Sequence, residues 1–220
     1  MYLTRMRLNE SNPNTAKALA SPHIFHGTVE RCFGGERKRN LWRIDHLNHQ
    51  LYLMLLSPDK PDLSAAAAQF GMLGTDCPWE TKLYTPFLER ITPASVWHFR
   101  LVANPTKSCV SEPGKRGKVH AHVSVPHQKE WLQTRAAHNG FSLNEEDFTV
   151  VHPDDEALQA QFGEGAVDDG GDLRLVDDVQ GAVPDDVTEL FCKALTEGIG
   201  RGKAYGMGLL TVARIASNEK

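Results

Sequence analysis

Charged and apolar residues alternate through Arg5-Met6-Arg7-Leu8, which predicts a β-strand over 2–8. Residues 9–13 form a turn, and a short helical piece leads to Ser21-Pro22. Serine at an N-cap followed by proline in the first turn predicts a helix over 23–33, ended by Gly34-Gly35. Phe25, Val29, Cys32 and Phe33 share its buried face. Strands are expected over 41–45 and 50–56, joined through Asn48, then an alanine-rich helix over 63–70 and a strand over 96–102. The order β-α-β-β-α-β is that of a ferredoxin-like domain.

The second half repeats that order with weaker signals. A strand over 119–125 leads to a helix over 128–137, ended by Asn139-Gly140. Strands over 148–151 and 173–176, a helix over 184–196 and a last strand over 207–212 complete it. The acidic stretch at 153–172 reads as a mobile loop with a solvated face. The expected class is therefore α+β: two tandem ferredoxin-like domains, 1–105 and 106–220, with a cleft between their sheets. The first carries the helix at 23–33, the second a glycine-rich loop near its end.

Composition narrows the partners. The 220 residues are 40% hydrophobic and 24% charged, as in soluble globular proteins. No apolar run reaches membrane-spanning length, and the first residues lack a signal-peptide core. Four scattered cysteines without a C-x-x-C pair read as free thiols of a cytoplasmic protein. His46-x-x-His49 and His120-x-His122 lack a carboxylate or thiolate at ligand spacing, so no metal or other cofactor is expected. The net charge of −4 hides an asymmetry. Residues 140–197 carry sixteen acids against two bases, and the rest of the chain twenty-two bases against twelve acids. A strongly basic remainder is the footprint of a nucleic-acid surface.

Five glycines and two cations fall within Gly198-Ile199-Gly200-Arg201-Gly202-Lys203-Ala204-Tyr205-Gly206-Met207-Gly208. Alternate glycines let backbone N–H groups approach an anion, and Arg201 and Lys203 add full charge. The ATPase phosphate loop is excluded, because Glu197 and Ala204 occupy its first and last defining positions. The dinucleotide fingerprint fails at Lys203. A loop reading a nucleic-acid backbone remains, with Gly200, Arg201, Gly202 and Lys203 as its contacts. Arg37-Lys38-Arg39 and the cluster Lys107, Lys115, Arg116 and Lys118 are further phosphate-positioning candidates. Trp42, Trp79, Trp97 and Trp131 read as core residues.

His26 lies one turn into the first amphipathic helix, three residues after His23, with Glu30 and Arg31 following. A histidine near a helix N-terminus is held neutral by the dipole and can accept a proton. That suits cleavage of RNA by its own ribose 2′-OH, with an acid for the leaving 5′ oxygen and a cation for the transition state. The same placement is common among capping and surface histidines, so the local pattern alone leaves catalysis open.

Taken together, these segments resemble the repeat-associated mysterious proteins, and among them the CasE (type I-E) CRISPR repeat endoribonucleases. The resemblance rests on the glycine-rich segment continuing into Leu209-Leu210, the Met1-Tyr2-Leu3-Thr4 opening, Ser21-Pro22-His23-Ile24-Phe25-His26, and Phe99-Arg100-Leu101-Val102-Ala103-Asn104-Pro105-Thr106-Lys107. It implies a metal-independent enzyme that cuts CRISPR precursor RNA at the 3′ base of the repeat stem-loop. The products would be 5′-hydroxyl and 2′,3′-cyclic phosphate ends. It further implies retention on the hairpin beside other Cascade subunits, and a monomer when isolated. His26 aligns with the family's catalytic histidine, and Arg31 falls where relatives can carry a base near the scissile phosphate. Relatives can carry a catalytic tyrosine at position 23, where this chain has His23: either His23 replaces it in proton transfer or transition-state binding, or His26 works largely alone. A non-catalytic RNA-binding scaffold of the same superfamily is the alternative.

Overall fold

Four strands build the first sheet: β1 (Tyr2–Arg7), β2 (Leu41–Leu47), β3 (Gln50–Ser57) and β4 (Trp79–Leu83). Their spatial order is β2-β3-β1-β4, and every neighbouring pair is antiparallel. The β2–β3 hairpin turns at Asn48 and His49, with φ of 50° and 60°. Two consecutive left-handed residues are what a two-residue hairpin turn requires. The computed structural model describes residues 1–72, 77–109, 117–150, 172–175 and 184–214.

Helices α1 (Pro13–Ala20), α2 (His23–Arg31) and α3 (Ser64–Phe70) cover one face of this sheet. Asn12 caps α1, its side chain accepting the Asn14 N–H at 2.9 Å. Ser21 plays a different part from the cap expected of it: its carbonyl accepts the Ile24 N–H at 2.9 Å, and no side chain caps α2. Helix α2 stops at Arg31, short of Phe33, because the Cys32 N–H closes on the Val29 carbonyl in a tighter i→i−3 bond.

After the short α4 (Thr85–Leu88), β5 (Val96–Leu101) opens the second sheet. A hairpin of β6 (Thr106–Cys109) and β7 (Lys118–Ala121) follows, then α5 (Val125–His138) and β8 (Phe141–Ser142). β9 (Asp172–Leu175), α6 (Pro184–Glu197) and β10 (Leu210–Arg214) complete the chain. The second sheet runs β10-β5-β9-β8, again antiparallel throughout. The protein is thus a mixed α+β structure with antiparallel sheets. Among the described residues no helix is long and apolar enough to cross a membrane.

Four strand expectations are corrected. The strand at 96–102, expected to finish the first unit, pairs with β10 in the second sheet, Leu101 opposite Leu210 and Trp97 opposite Arg214. Its expected place belongs to β4, an edge strand whose single neighbour β1 lets it carry the polar run Glu80-Thr81-Lys82. The strand at 119–125 is β7, exposed along its length and paired only with β6. Residues 148–150 are irregular although Phe148 is buried, and β8 pairs with β9 instead. The last strand starts at Leu210, since Gly206 and Gly208 adopt φ of 79° and 84°, outside the extended region. Within the acidic stretch, 153–171 lie outside the described residues.

Period-two alternation on β2 joins the halves. Trp42 packs under the helices with Phe25, Val29, Leu53, Leu55 and Phe70. Leu41, two positions from Arg43, points the other way into a core with Trp97, Phe99, Trp131, Phe191, Leu195 and Leu209. Arg43 and Asp45 follow on that second face, fully buried.

Candidate active site

Helix α2 sets Phe25 and Val29 into the core and leaves His26 half-buried on its flank. The Nε2 of His26 lies 3.3 Å from Nη2 of Arg37. Since a guanidinium only donates, Nε2 is the acceptor in that contact. Arg37 is held in turn by Glu30, one turn beyond His26, with Nε 2.7 Å from Oε2. His23 is exposed on the first turn of α2. Arg31 is exposed on the last, its Nη2 donating to Thr28 Oγ1 at 3.2 Å.

The glycine-rich segment is pinned against β2, α5 and the end of β5. Gly198, Gly200, Gly202, Gly206 and Gly208 all have φ between 74° and 85°. Ile199 N–H donates to the Gly208 carbonyl at 2.9 Å, and Gly208 N–H to the Val102 carbonyl at 2.7 Å. Arg201 bridges to Asn104 at the foot of the β6–β7 hairpin. A Cβ on Gly206 would stand 2.7 Å from the Trp42 ring, and one on Gly200 3.1 Å from the Trp131 ring. Close backbone approach to two tryptophans and internal hydrogen bonding therefore account for much of the glycine pattern, which the sequence reading ascribed to anion binding alone.

Two of the predicted cations, Lys203 and Arg39, come together. The segment Lys203–Tyr205 packs on both α2 and β2. Lys203 has its pKa pushed below the usual lysine value, first by burial and then by the Arg39 guanidinium, with Glu197 opposing. A partly buried ammonium crowded by a second cation is a site short of negative charge, which a phosphate would supply. Arg201 and Arg39 are exposed, whereas Lys38 is engaged with Asp59 at 2.8 Å. On the hairpin, Lys107 stands opposite His120 and Lys118 opposite Cys109, a register that puts both lysines on one face. Lys115 and Arg116 lie outside the described residues.

A cleft of about 360 Å³ opens beside α2, lined by Leu19, Pro22, Trp42, Ile44, Val102 and Tyr205 among others. Tyr205 belongs to no recognisable motif of its own; the signal for it in the sequence is the pair of glycines, Gly202 and Gly206, that bracket its turn and are left-handed here. Among the described residues, no three His, Cys, Asp or Glu side chains gather in a group able to hold a metal ion.

Comparison with known proteins gives concordant matches. The profile of a family described as "CRISPR associated protein" matches residues 1–214. The CRISPR-associated endoribonuclease Cse3 of Thermus thermophilus is 29% identical over 227 aligned positions, covering 97% of this chain and all of that protein. A structure of CRISPR endoribonuclease Cse3 bound to a 19-nucleotide RNA superposes with a TM-score of 0.68 at 26% identity, over 96% of this chain and 98% of that one. A chain of a CRISPR RNA-guided surveillance complex in a pre-nicking state shares the fold, with a TM-score of 0.58 at 24% identity over 98% and 100% of the two chains.

Proposed function

Since the chain belongs to the CRISPR-associated protein family, matched over residues 1–214, we propose that it is an endoribonuclease that cuts CRISPR precursor RNA at the 3′ base of the repeat stem-loop. The observation that carries this reading is the position of His26. Its Nε2 is an acceptor on the flank of α2, the helix against which the cation-bearing turn Lys203–Tyr205 packs. A nitrogen that accepts from Arg37 can equally accept the proton of a ribose 2′-OH. The 2′ oxygen attacks the adjacent phosphorus, the P–O5′ bond breaks, and the products are a 2′,3′-cyclic phosphate and a 5′-hydroxyl. No step requires a metal ion. His23 supplies the proton to the departing oxygen, and Arg31 and Arg37 offset charge on the phosphoryl oxygens.

Lys107, Lys118, Arg39, Arg201 and Lys203 then position the phosphates of the stem, with Lys115, Arg116, Lys38 and the Gly200 and Gly202 backbone as further contacts. The two sheets act as two ferredoxin-like units with the RNA held across them. The reading extends to retention on the product hairpin among other Cascade subunits, a chain of a surveillance complex having the same fold, with the free protein a cytoplasmic monomer. The test is cleavage of the host's own repeat hairpin in EDTA. Wild type cuts it, His26→Ala binds without cutting, and a 2′-deoxy substitution at the cleavage nucleotide blocks the reaction. Binding without any cleavage of that repeat by wild type would favour the scaffold role.

A further inference from the structure

Tyr205 is the one aromatic residue among the described residues left mostly in solvent, at 58% exposure. Its backbone is tightly set: Gly202 and Gly206 on either side of the Lys203–Tyr205 turn are left-handed, and the Tyr205 N–H donates to the Gly202 carbonyl at 2.8 Å. The ring lines the cleft of about 360 Å³ whose walls are Leu19, Pro22, Ile44 and Val102. Leu19 and Val102 are themselves 42% and 40% exposed, so the site is apolar and open to solvent. Beneath it, Trp42 is buried between Gly206 and Phe25, whose ring centre is 5.8 Å away.

An apolar slot of this size fits one small flat group. The neighbouring charge decides which. Lys203 shares the turn with Tyr205, and burial, then the Arg39 guanidinium, lowers its pKa. An apolar floor with a cation on the turn that carries its exposed ring complements a nucleotide, whose base is flat and whose phosphate is anionic. Pro22 lines the cleft and its carbonyl accepts the His26 N–H at 3.1 Å, so His26 follows it one turn along the same helix. A turn advances about 5.4 Å, comparable to the reach from a base to its own ribose and phosphate.

We propose that this cleft is a stacking subsite for one unpaired RNA base beside the cleaved linkage, with Tyr205 as its platform. The base stacks on the phenol ring, and its sugar-phosphate is drawn toward the cations. Stacking holds the neighbouring ribose within reach of His26, so Tyr205 is a positioning residue. The inference rests on the reading of this protein as a repeat endoribonuclease.

The experiment uses the host repeat hairpin with 2-aminopurine placed in turn at each unpaired position flanking the cut, and the His26→Ala protein to keep it whole. One position should be quenched on binding. The quench should vanish in His26→Ala/Tyr205→Leu with roughly tenfold weaker binding, and persist in His26→Ala/Tyr205→Phe, because the ring and not the hydroxyl does the stacking. In the cutting enzyme, Tyr205→Leu should lower the single-turnover rate while Tyr205→Phe keeps it. RNA bound and cut without any quench that depends on Tyr205 overturns the subsite and leaves the nuclease reading standing. A wild-type protein that neither binds nor cuts the repeat overturns the nuclease reading, and the subsite with it.

Discussion

Arg43 and Asp45 form a two-point ion pair inside the protein, with Nε 2.6 Å from Oδ1 and Nη2 2.7 Å from Oδ2. Both lie on β2, two residues apart, hence on the face turned toward the second sheet. The guanidinium also donates to the carbonyls of Arg100 at 3.0 Å and Leu209 at 2.8 Å, and to Thr211 Oγ1 at 2.8 Å. Arg100 adds its Nε at 3.5 Å from Asp45 Oδ1. One buried side chain thereby ties β2 to β5 and β10, aligning the sheet under α2 with the sheet that continues from the glycine-rich turn.

Removing one member of this network strands the other charges. Asp45→Ala should destabilise the protein by about 3–5 kcal/mol, the scale for an orphaned partner of a buried ion pair. A fall in the urea midpoint with an unchanged slope checks it, and a shift under 1 kcal/mol would deny the network its inter-sheet role.

Gly206→Ala tests the seat of the glycine-rich turn. Alanine must adopt φ of 79° with its Cβ 2.7 Å from the indole of Trp42. Left-handed strain alone costs about 1–3 kcal/mol, and the Trp42 ring has to move as well. Lower thermal stability and weaker cleavage should appear together, measured by melting curves and single-turnover assays.

Lys203→Met should separate stability from binding. Burial and Arg39 lower this amine's pKa on folding, so the native state binds the proton less tightly than the unfolded chain. Stability therefore rises as pH increases through the window below the ordinary value of 10.5. Methionine removes the disfavoured charge and should raise the melting temperature at neutral pH. It should also weaken RNA binding and reduce the salt dependence of the binding constant by about one counterion. If RNA affinity is unchanged, Lys203 contacts no phosphate.

Thiol reactivity should sort by burial. Cys77 and Cys109 are exposed, while Cys32 is buried with its Sγ donating to the Thr28 carbonyl at 3.2 Å. Burial, reinforced by Asp62, pushes the Cys32 thiol up from 9.0 to about 11. It stays protonated where an unfolded thiol ionises, so its contribution to stability is intact below pH 9 and is lost as pH rises to about 11. Timed labelling with Ellman's reagent at pH 8 should modify Cys77 and Cys109 rapidly and Cys32 only on unfolding.

Much of the local structure was legible because it depends on near neighbours. The hairpin at Asn48, the amphipathic stripe Phe25-Val29-Cys32 and the helix stop at Asn139-Gly140 are set within a few residues of chain. Edge strand β4 was hidden because an exposed strand with one partner needs no apolar alternation. Strand β5 was recognised but assigned to the wrong sheet, since its Trp97 and Phe99 look the same whichever strand lies beside them.

By itself the chain determined most of the helical and extended segments, which residues carry positive charge, and that His26 lies one turn into an amphipathic helix beside other chemistry-bearing groups. Only the tertiary structure decided that β5 pairs with β10, that Arg43 and Asp45 close the interface between sheets, and that Tyr205 faces a cleft bordered by Pro22 and Val102. The reason is range: periodicity and capping act over a turn or a strand, whereas these pairings join residues up to 183 positions apart and reward contact only after the sheets have packed.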